Sequence, residues 1–310
     1  MNVLVTGCKG QLGNELYKII TEKKSELGEI PQCFHDCKLT CIDVEDLDIT
    51  DLEAVRAYVK TLKPDVIINC AAYTNVNGCE SDRDAAFRVN ALGPRNLAVA
   101  CEETGAKLVH VSTDYVFPGD GTEPYVEWDL CGPQSVYGRT KYLGEQYVRD
   151  FCSRYFIVRT AWLYGYVGNN FVKTMRRLGT ENGAVKVVSD QVGTPTNAAD
   201  LAHHLLKLAA TCEYGVYHCT GNGSACSWYE FTKKIMEYSG ISAAVTPCTT
   251  GGVIPTPAKR PAYSVLDNCM LRVTVGDEMR DWQEALKCYI EKNRREIRLI
   301  ENEESGIKPI

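Results

Sequence analysis

A tyrosine and a lysine stand four positions apart in the segment 137–141, which reads YGRTK. On a helix this spacing places both side chains on one face. The positive charge of Lys141 would favour the phenolate of Tyr137 and lower the phenol pKa from about 10 toward neutral pH. Such a tyrosine can exchange a proton with an alcohol or sugar oxygen while a hydride moves at the neighbouring carbon. The pair is common by chance, so its meaning depends on its surroundings.

Two polar residues, Thr113 and Asp114, follow the apolar run KLVHVS at 107–112 and precede this pair in the chain. The run predicts a strand, and ligands of open α/β sheets bind outside the carboxyl ends of such strands. We therefore expect Thr113 and Asp114 to lie at the same ligand site as Tyr137. Ser112 has a nucleophilic hydroxyl, but the sequence places no histidine to activate it.

Three glycines, Gly7, Gly10 and Gly13, follow the apolar run NVLVT and open a segment with leucine and isoleucine at helical spacing. In this strand–turn–helix context Gly7 permits a tight turn, Gly10 lets amides approach a pyrophosphate, and Gly13 allows close helix packing. The helix N-terminus would then face the phosphates. The pattern predicts a dinucleotide site.

Asp43 ends the predicted second strand, where a carboxylate can accept a hydrogen bond from the adenosine ribose. Such a carboxylate disfavours a 2′-phosphate, and no arginine follows it. The sequence therefore favours NADH. Lys9 in the glycine loop could still attract a 2′-phosphate, so NADPH remains open.

Strands and helices alternate through the first half of the chain, and this predicts an α/β fold with a Rossmann-type, doubly wound parallel sheet. The expected strands are 2–6, 39–43, 65–70, 107–112 and 155–160, and the expected helices begin at Leu12, at a capping box in Thr50–Glu53 (ending near 62), at 91 (to 104) and at 136 (to 151).

After about residue 165 proline, glycine and threonine become frequent, as in 193–196 (GTPT) and 255–257 (PTP). This change predicts a smaller C-terminal α/β substrate lobe. Its expected elements are a helix at 197–210, a strand at 215–219, a capped helix from Ser227–Glu230 and a charged helix from Trp282, with a frayed end at 300–310. The expected domains are 1–164 for the dinucleotide, with 190–220 returning to it, and 165–189 with 221–310 for the substrate.

The chain has 310 residues, a net charge of −6 and 45% hydrophobic residues, the composition of an ordinary globular protein. Mild acidity argues against a general nucleic-acid binder. A stretch of roughly 18 apolar residues and a secretion signal are both missing from the sequence, so we expect no membrane partner and a cytoplasmic location.

Metal binding is not predicted. The 15 cysteines include Cys33, Cys37 and Cys41 around His35, a spacing that matches no zinc signature and favours reduced thiols. The pair at 203–204 (HH) lies in a predicted helix without flanking acids.

With these residues in view, the sequence resembles the dTDP-4-dehydrorhamnose reductase family of the extended short-chain dehydrogenases/reductases. The likeness reaches to about residue 290. Its most specific segments are 7–13, 65–74 (DVIINCAAYT), 111–117 (VSTDYVF), 137–141, 159–164 (RTAWLY), 169–171 (NNF), 190–196 (DQVGTPT) and 260–261 (RP).

The resemblance implies reduction of the 4-keto group of dTDP-4-dehydro-6-deoxy-L-mannose to dTDP-L-rhamnose with NADH or NADPH. It implies that Thr113, Tyr137 and Lys141 form a catalytic triad. Further implied cofactor residues are Gly7, Gly10, Gln11, Leu12, Gly13, Asp43, Asp48, Ile49, Ala71, Ala72 and Tyr73, besides Tyr137 and Lys141. The implied substrate residues are Thr113, Asp114, Trp162 and Arg260, the last toward the diphosphate.

Some members of the family bind Mg²⁺ at a dimer interface through glutamates. Glu15 falls at one such position, but Ala199 stands where another acid is expected, with Asp200 beside it. We therefore predict neither the metal nor that dimer, interpret Glu15 as an exposed helix carboxylate, and leave a monomer and a homodimer open.

Two other functions remain as alternatives. A nucleotide-sugar dehydratase or epimerase of the superfamily is one, although dehydratases carry an acid–base Asp-Glu pair after the strand-four threonine and Tyr115 follows Asp114 here. A regulatory subunit like that of methionine adenosyltransferase is the other, and the intact Thr113, Tyr137 and Lys141 argue against it. Trp228, with its neighbours at 229–231, could stack a thymine, but we favour a core role.

Overall fold

The structure is a computed structural model that describes residues 1–252 and 257–304. The predicted irregular segment at 255–257 and the predicted frayed end at 300–310 therefore lie partly outside the described residues.

The strands vary from two to seven residues in length. They are β1 Asn2–Thr6, β2 Lys24–Ser25, β3 Gly28–Glu29, β4 Lys38–Ile42, β5 Val66–Asn69, β6 Lys107–Thr113, β7 Tyr155–Thr160, β8 Leu163–Tyr164, β9 Ala184–Val188, β10 Val192–Gly193, β11 Thr196–Asn197, β12 Gly215–His218, β13 Cys226–Ser227 and β14 Ala244–Cys248.

The α-helices are mostly 11 residues or longer. They are α1 Gln11–Glu22, α2 Leu52–Leu62, α3 Val76–Ser81, α4 Arg83–Phe87, α5 Gly93–Thr104, α6 Val136–Phe151, α7 Phe171–Asn182, α8 Ala198–Ala209, α9 Trp228–Ser239, α10 Cys269–Thr274 and α11 Trp282–Glu304. Short 3-10 turns lie at Gln32–Phe34, Asp114–Val116 and Thr250–Gly252, and a π-helical turn lies at Arg88–Leu92.

Six strands form one parallel sheet in the order β12-β7-β6-β5-β1-β4. The order reverses direction at β1, and buried apolar side chains pack against both faces of the sheet. This arrangement confirms the predicted doubly wound, Rossmann-type fold. A cleft forms at the reversal because the loops after β1 and β5 leave toward opposite sides.

Outside this sheet the chain makes short two-stranded pairs, β8 with β11, β9 with β14 and β10 with β13. It returns to the main sheet at β12, which pairs with β7. Aromatic side chains join α9 and α11 in a separate core cluster that includes Phe231, Trp282 and Tyr289.

Two helices were predicted to begin at a capping box, and the structure shows which residues cap them. The capping box predicted at Thr50–Glu53 is wrong by one position, because the carboxylate of Asp51 accepts from the amide of Ala54 at 3.0 Å and caps α2. The capping box predicted for Ser227 and Glu230 is present.

Glu15 was expected to be exposed, and this expectation is wrong: only 3% of its surface is accessible. Lys18 and, from α11, Lys292 are close enough to influence its charge, but burial is the larger effect and raises the pKa of Glu15. Lys292 itself pairs with Glu26 at 2.9 Å. A helix distant in sequence therefore brings charged groups to α1.

Candidate active site

A cavity of about 900 Å³ opens at the carboxyl ends of the parallel strands. Its wall includes the carboxyl ends of β1, β4, β5, β6 and β7 or the residues that follow them, and the first turns of α1 and α6. The proposed site residues on its wall are Gly7, Gly10, Gln11, Leu12, Gly13, Asp43, Asp48, Ile49, Ala71, Ala72, Tyr73, Thr113, Asp114, Tyr137, Lys141 and Trp162.

The glycine loop needs glycine at two of its positions. Gly7 has a φ of 70°, and a Cβ there would lie 2.8 Å from the amide nitrogen of Ala71. A Cβ on Gly13 would lie 2.3 Å from the carbonyl oxygen of Gly7. The loop therefore packs tightly against α1. Gly10 caps that helix without a side-chain hydrogen bond, so its first-turn amides remain suited to an anion.

Asp43 lies at the cavity wall just after β4. Its Oδ2 accepts from the amide of Lys9 at 3.0 Å and its Oδ1 from the amide of Val44 at 2.9 Å. The ammonium of Lys9 pairs with Glu45 at 2.8 Å, although both side chains are well exposed. An exposed pair of this kind is weak, so Lys9 can exchange partners at little cost.

Asn90 fixes the segment that follows β5. Its Oδ1 accepts from the amide of Tyr73 at 2.8 Å, and its Nδ2 donates to the carbonyl of Tyr73 at 3.1 Å. Asn90 is buried within the π-helical turn, a feature often found at functional sites. The turn thus holds the backbone of Tyr73 at the cavity wall.

Tyr137 lies in the first turn of α6, which is capped by the hydroxyl of Ser135. Gly138 allows close approach to the chain after β6, since a Cβ there would lie 2.3 Å from the carbonyl oxygen of Tyr115. The Thr113 hydroxyl is hydrogen-bonded to Tyr137. The helix and the end of β6 are therefore locked together at the phenol.

The expected lowering of the Tyr137 pKa is wrong for this structure. Burial raises that pKa, and the nearby carboxyl of Asp114 raises it further, while the hydrogen bond between Thr113 and the phenol acts the other way. The ammonium of Lys141 instead donates to the carbonyl of Val111 at 2.6 Å, and burial lowers the Lys141 pKa to about 8. A phenol with a raised pKa keeps its proton at neutral pH, as a general acid must.

Asp114 is 3% exposed. Its Oδ1 accepts from the Thr113 hydroxyl at 2.8 Å. Its Oδ2 is buried and has no partner of hydrogen-bond geometry among the described residues, although the Ser264 hydroxyl is close to the carboxyl group. Burial raises the pKa of Asp114 to about 6.

A buried ion pair supports this part of the sheet from behind. Arg159 on β7 binds Glu145 on α6 through two bonds of 2.9 and 2.7 Å, and both side chains are fully buried. Ser112 donates to Glu145 at 2.6 Å, so its hydroxyl serves this network. Bidentate geometry of this kind fixes orientation strongly.

Trp162 also lines the cavity and has a left-handed φ of 48°, which is costly for a bulky residue. Its ring stacks on that of Trp228 with 3.5 Å between centroids and 6° between planes. Gly193 packs against the same indole, where a Cβ would lie 2.5 Å from Cε2.

Trp228 also lines the cavity, a position that the sequence analysis set aside in favour of the core. The signal that could have found it was its place at the start of a capped helix, next to Ser227. Phe231, its helical neighbour, is a buried core residue as expected.

Arg260 does not line the cavity in the described part of the chain. Its Nη1 donates to the hydroxyl of Tyr115 at 3.2 Å, and Tyr115 is a wall residue. The next residue, Pro261, is pinned against Gly119, whose Cβ would lie 2.5 Å from that proline's Cβ. The side chain of Tyr115 therefore lies between Arg260 and the cavity.

Among the described residues no cluster of three potential metal ligands is found. His203 bonds Ser25 at 2.8 Å, and His204 accepts from the amide of Glu278 at 3.0 Å, so both histidines serve packing. Asp200 binds Arg280. No described helix is long and apolar enough to cross a bilayer.

A doubly wound parallel sheet, with a tyrosine and a lysine on the helix that packs beside β6, is the architecture of the short-chain dehydrogenases/reductases, and the chain has this class of fold. The chain belongs to the RmlD substrate binding domain family, whose model matches residues 1–295.

Relatives carry a consistent description. A dTDP-4-dehydrorhamnose reductase of Streptomyces griseus is 41% identical over 91% of this chain and 91% of its own length. A solved dTDP-4-dehydrorhamnose reductase from Clostridium acetobutylicum is 49% identical, with a TM-score of 0.88 over 95% of this chain and 100% of that one. The enzyme of the same name from Bacillus anthracis, solved in complex with NADP, is 44% identical, with a TM-score of 0.87 over 94% and 99%.

Proposed function

We propose that the protein is a dTDP-4-dehydrorhamnose reductase, which reduces the 4-keto group of dTDP-4-dehydro-6-deoxy-L-mannose with NAD(P)H to give dTDP-L-rhamnose. The observation that carries the proposal is the position of Tyr137, held by Thr113 in the same cavity as the glycine loop, where burial raises its pKa. Similarity to named reductases over more than 90% of the chain supports the substrate.

The cavity has room and chemistry for the cofactor at its glycine-loop end. A Cβ on Gly7 or Gly13 would overlap backbone atoms, so both positions need glycine. Without side chains there, the N-terminus of α1 stays open toward a pyrophosphate. Asp43 would hold the adenosine ribose, with Asp48 and Ile49 at the adenine. Ala71, Ala72 and Tyr73 would follow the cofactor toward Lys141.

Bound NAD(P)H supplies the hydride that reaches C4 of the sugar. Tyr137 donates its proton to the C4 oxygen as negative charge develops there. The Thr113 hydroxyl bonds the phenol and orients it. Lys141, with a pKa near 8, keeps a positive charge at neutral pH that stabilises the phenolate left behind.

We propose that both cofactors are accepted, with a preference for NADH. Asp43 faces the cavity and disfavours a 2′-phosphate, while Lys9 lies in the same loop with only an exposed pairing to Glu45. A solved relative binds NADP, which keeps NADPH in use within the family.

The geometry disfavours the alternative chemistry of a dehydratase. Tyr115 follows Asp114, and burial raises the Tyr115 pKa to about 12, so it cannot serve as the base that elimination needs. A purely regulatory role would not require the buried Thr113–Tyr137 contact.

We also propose a dinucleotide domain of residues 1–164 with 190–220, and a substrate lobe of 165–189 with 221–310. The pairing of β12 with β7 supports the first, and the separate β9–β14 pair supports the second. We propose further that the protein acts in the cytoplasm. We also propose that it is a monomer or a homodimer, and light scattering of the purified protein would measure this oligomeric state.

The function is tested by following NADH and NADPH oxidation at 340 nm with dTDP-4-dehydro-L-rhamnose, with the product sugar identified by NMR. We expect dTDP-L-rhamnose. Tyr137→Phe should bind cofactor normally but turn over about 10²-fold more slowly or worse. A wild-type protein that leaves the keto sugar unreduced, or a Tyr137→Phe variant of normal turnover, contradicts the proposal.

A further inference from the structure

Three side chains form a continuous hydrogen-bonded row at the end of β6. The Thr113 hydroxyl lies between the phenol of Tyr137 and the carboxyl of Asp114, and it bonds to both. Thr113 is 6% exposed and Asp114 is 3% exposed, so bulk water has little access to the row. Its free end is Asp114 Oδ2, buried without a partner of hydrogen-bond geometry in the described residues.

The surroundings of Asp114 favour a neutral carboxyl group. Tyr115 and Tyr137 are the titratable side chains that face it. The hydroxyls of Thr113 and Ser264 and the amides of Asp114 and Tyr115 act in favour of the carboxylate, but burial is the larger effect. The Arg260 guanidinium donates to the hydroxyl of Tyr115 at 3.2 Å and not to Asp114. A buried carboxylate without a paired cation is costly, and protonation removes that cost.

We propose that Asp114 is the proton store of the reduction and returns a proton to Tyr137 through the hydroxyl of Thr113. The inference rests on the proposed reductase function. It gives Asp114 a part in proton transfer that is separate from any contact with the sugar.

The proton balance is simple. Tyr137 loses its phenolic proton to the C4 oxygen, which already carries the electron pair released by hydride transfer, and becomes a phenolate. Thr113 then passes its hydroxyl proton to the phenolate and takes one from the Asp114 carboxyl. Asp114 remains as a carboxylate and regains a proton from solvent through the cavity, which it lines, once product has left. Each turnover consumes one solvent proton.

The direction of the pH effect follows from the Asp114 pKa of about 6. Below this pH the Asp114 carboxyl group carries a proton, and above it the group is ionised and has no proton to return. We therefore expect the wild-type kcat for keto-sugar reduction to fall as pH rises through about 6. The phenol of Tyr137, with its raised pKa, cannot produce a decline in that range.

The test compares kcat and KM from pH 5 to 9 for wild type, Asp114→Asn, Thr113→Val and Thr113→Ser. Asp114→Asn should lower kcat by about tenfold or more at pH 6 and remove the decline near pH 6. Thr113→Val, which leaves the carboxyl in place, should also lose the decline near pH 6, and Thr113→Ser should restore it. A second decline near pH 8, where Lys141 loses its charge, should remain in all variants. The double variant Asp114→Asn/Thr113→Val should be no slower than the worse single variant.

Proton inventories in mixed H₂O and D₂O add a readout that a packing defect would not produce. Wild type should show a curved inventory, because the Thr113 and Asp114 protons move together when the phenolate is reprotonated, and Asp114→Asn should show a linear one. Asp129→Asn, which alters a carboxylate bonded to the amide of Val126 away from the row, is the matched control and should follow wild type.

The outcomes separate the two proposals. A wild-type protein that reduces no keto sugar overturns the proposed function. An active wild type whose pH profile and inventory match those of Asp114→Asn overturns the proton store and leaves the reductase intact. A raised sugar KM in Asp114→Asn with the decline retained also overturns it, in favour of a role in substrate binding alone. If Asp114→Asn folds poorly, Thr113→Val decides the question.

Discussion

Gly193 packs against Trp162, so a single added methyl group at this position tests how tightly that tryptophan is held on the cavity wall. A Cβ there would lie 2.5 Å from Cε2 of Trp162, 2.7 Å from Nε1 and 2.8 Å from Cζ2, whereas ordinary contact begins near 3.4 Å. The indole is already stacked at 3.5 Å on Trp228, and the carbonyl of Trp162 accepts from the amide of Thr196 at 3.2 Å. Either the ring or the backbone must therefore move by about an ångström.

Overpacking of this kind costs about 1–3 kcal/mol. At an unfolding entropy of about 2.1 cal/mol/K per residue, this loss lowers the Tm of a chain of this length by roughly 2–5 °C. Gly193→Ala should also change the near-UV circular dichroism of the stacked tryptophans and raise the KM for the sugar nucleotide, while the KM for NADH stays near the wild-type value.

Gly251→Ala provides the matched control. Gly251 is exposed, and a Cβ there would meet no atom within 4 Å. Its free energy of unfolding should change by no more than about 0.5 kcal/mol. If Gly193→Ala unfolds at the wild-type temperature and keeps the wild-type near-UV spectrum, then Trp162 is not clamped and the reasoning fails.

Three further predictions concern charged side chains. Asp43→Ala should shift the ratio of kcat/KM values toward NADPH, because it removes a carboxylate that disfavours a 2′-phosphate; a wild type that strongly prefers NADPH and an unchanged ratio in the variant would refute this. Arg260→Ala should raise the KM for the sugar nucleotide about tenfold or more, the worth of a charged hydrogen bond of about 1.5–3 kcal/mol, with little effect on the KM for NADH; a defect confined to the cofactor would contradict it. Glu145→Gln should cost about 3–5 kcal/mol in urea unfolding, because it leaves the buried charge of Arg159 without its partner, whereas Glu181→Gln, at an exposed ion pair, should cost less than about 1 kcal/mol.

The fold could be predicted because its local signals agree. The predicted helix 136–151 and strand 155–160 are found as Val136–Phe151 and Tyr155–Thr160. Continuous apolar runs marked the buried parallel strands, and glycine marked the turn after β1, which a side chain on Gly7 would block. The helix predicted from 91 begins at Gly93 because the π-helical turn Arg88–Leu92 precedes it. Periodicity alone cannot distinguish that turn from an α-helix.

Burial set by distant elements could not be predicted. Glu15 looked like a surface carboxylate because only its own helix was visible in the sequence, whereas it is buried in the fold and has Lys292 of α11 nearby. The pKa of Tyr137 was inferred from one neighbour, Lys141, although desolvation by the whole cavity wall has the larger effect. Trp228 lines the cavity and stacks on Trp162, a residue 66 positions away that the sequence does not show to be its neighbour.

Three of the unfavourable features of the described chain lie close together on the cavity wall, where β6 and β7 end. Trp162 is held at a left-handed φ, and Asp114 Oδ2 and Thr160 Oγ1 are buried without partners, all on the cavity wall. Behind them, the carboxylate of Glu145 receives three hydrogen bonds from Arg159 and Ser112. Strain and unsatisfied polar groups persist only where the surroundings hold them. A polar sugar entering this part of the cavity could supply the missing hydrogen bonds, so the binding of substrate should raise the Tm more than its contact area alone would suggest.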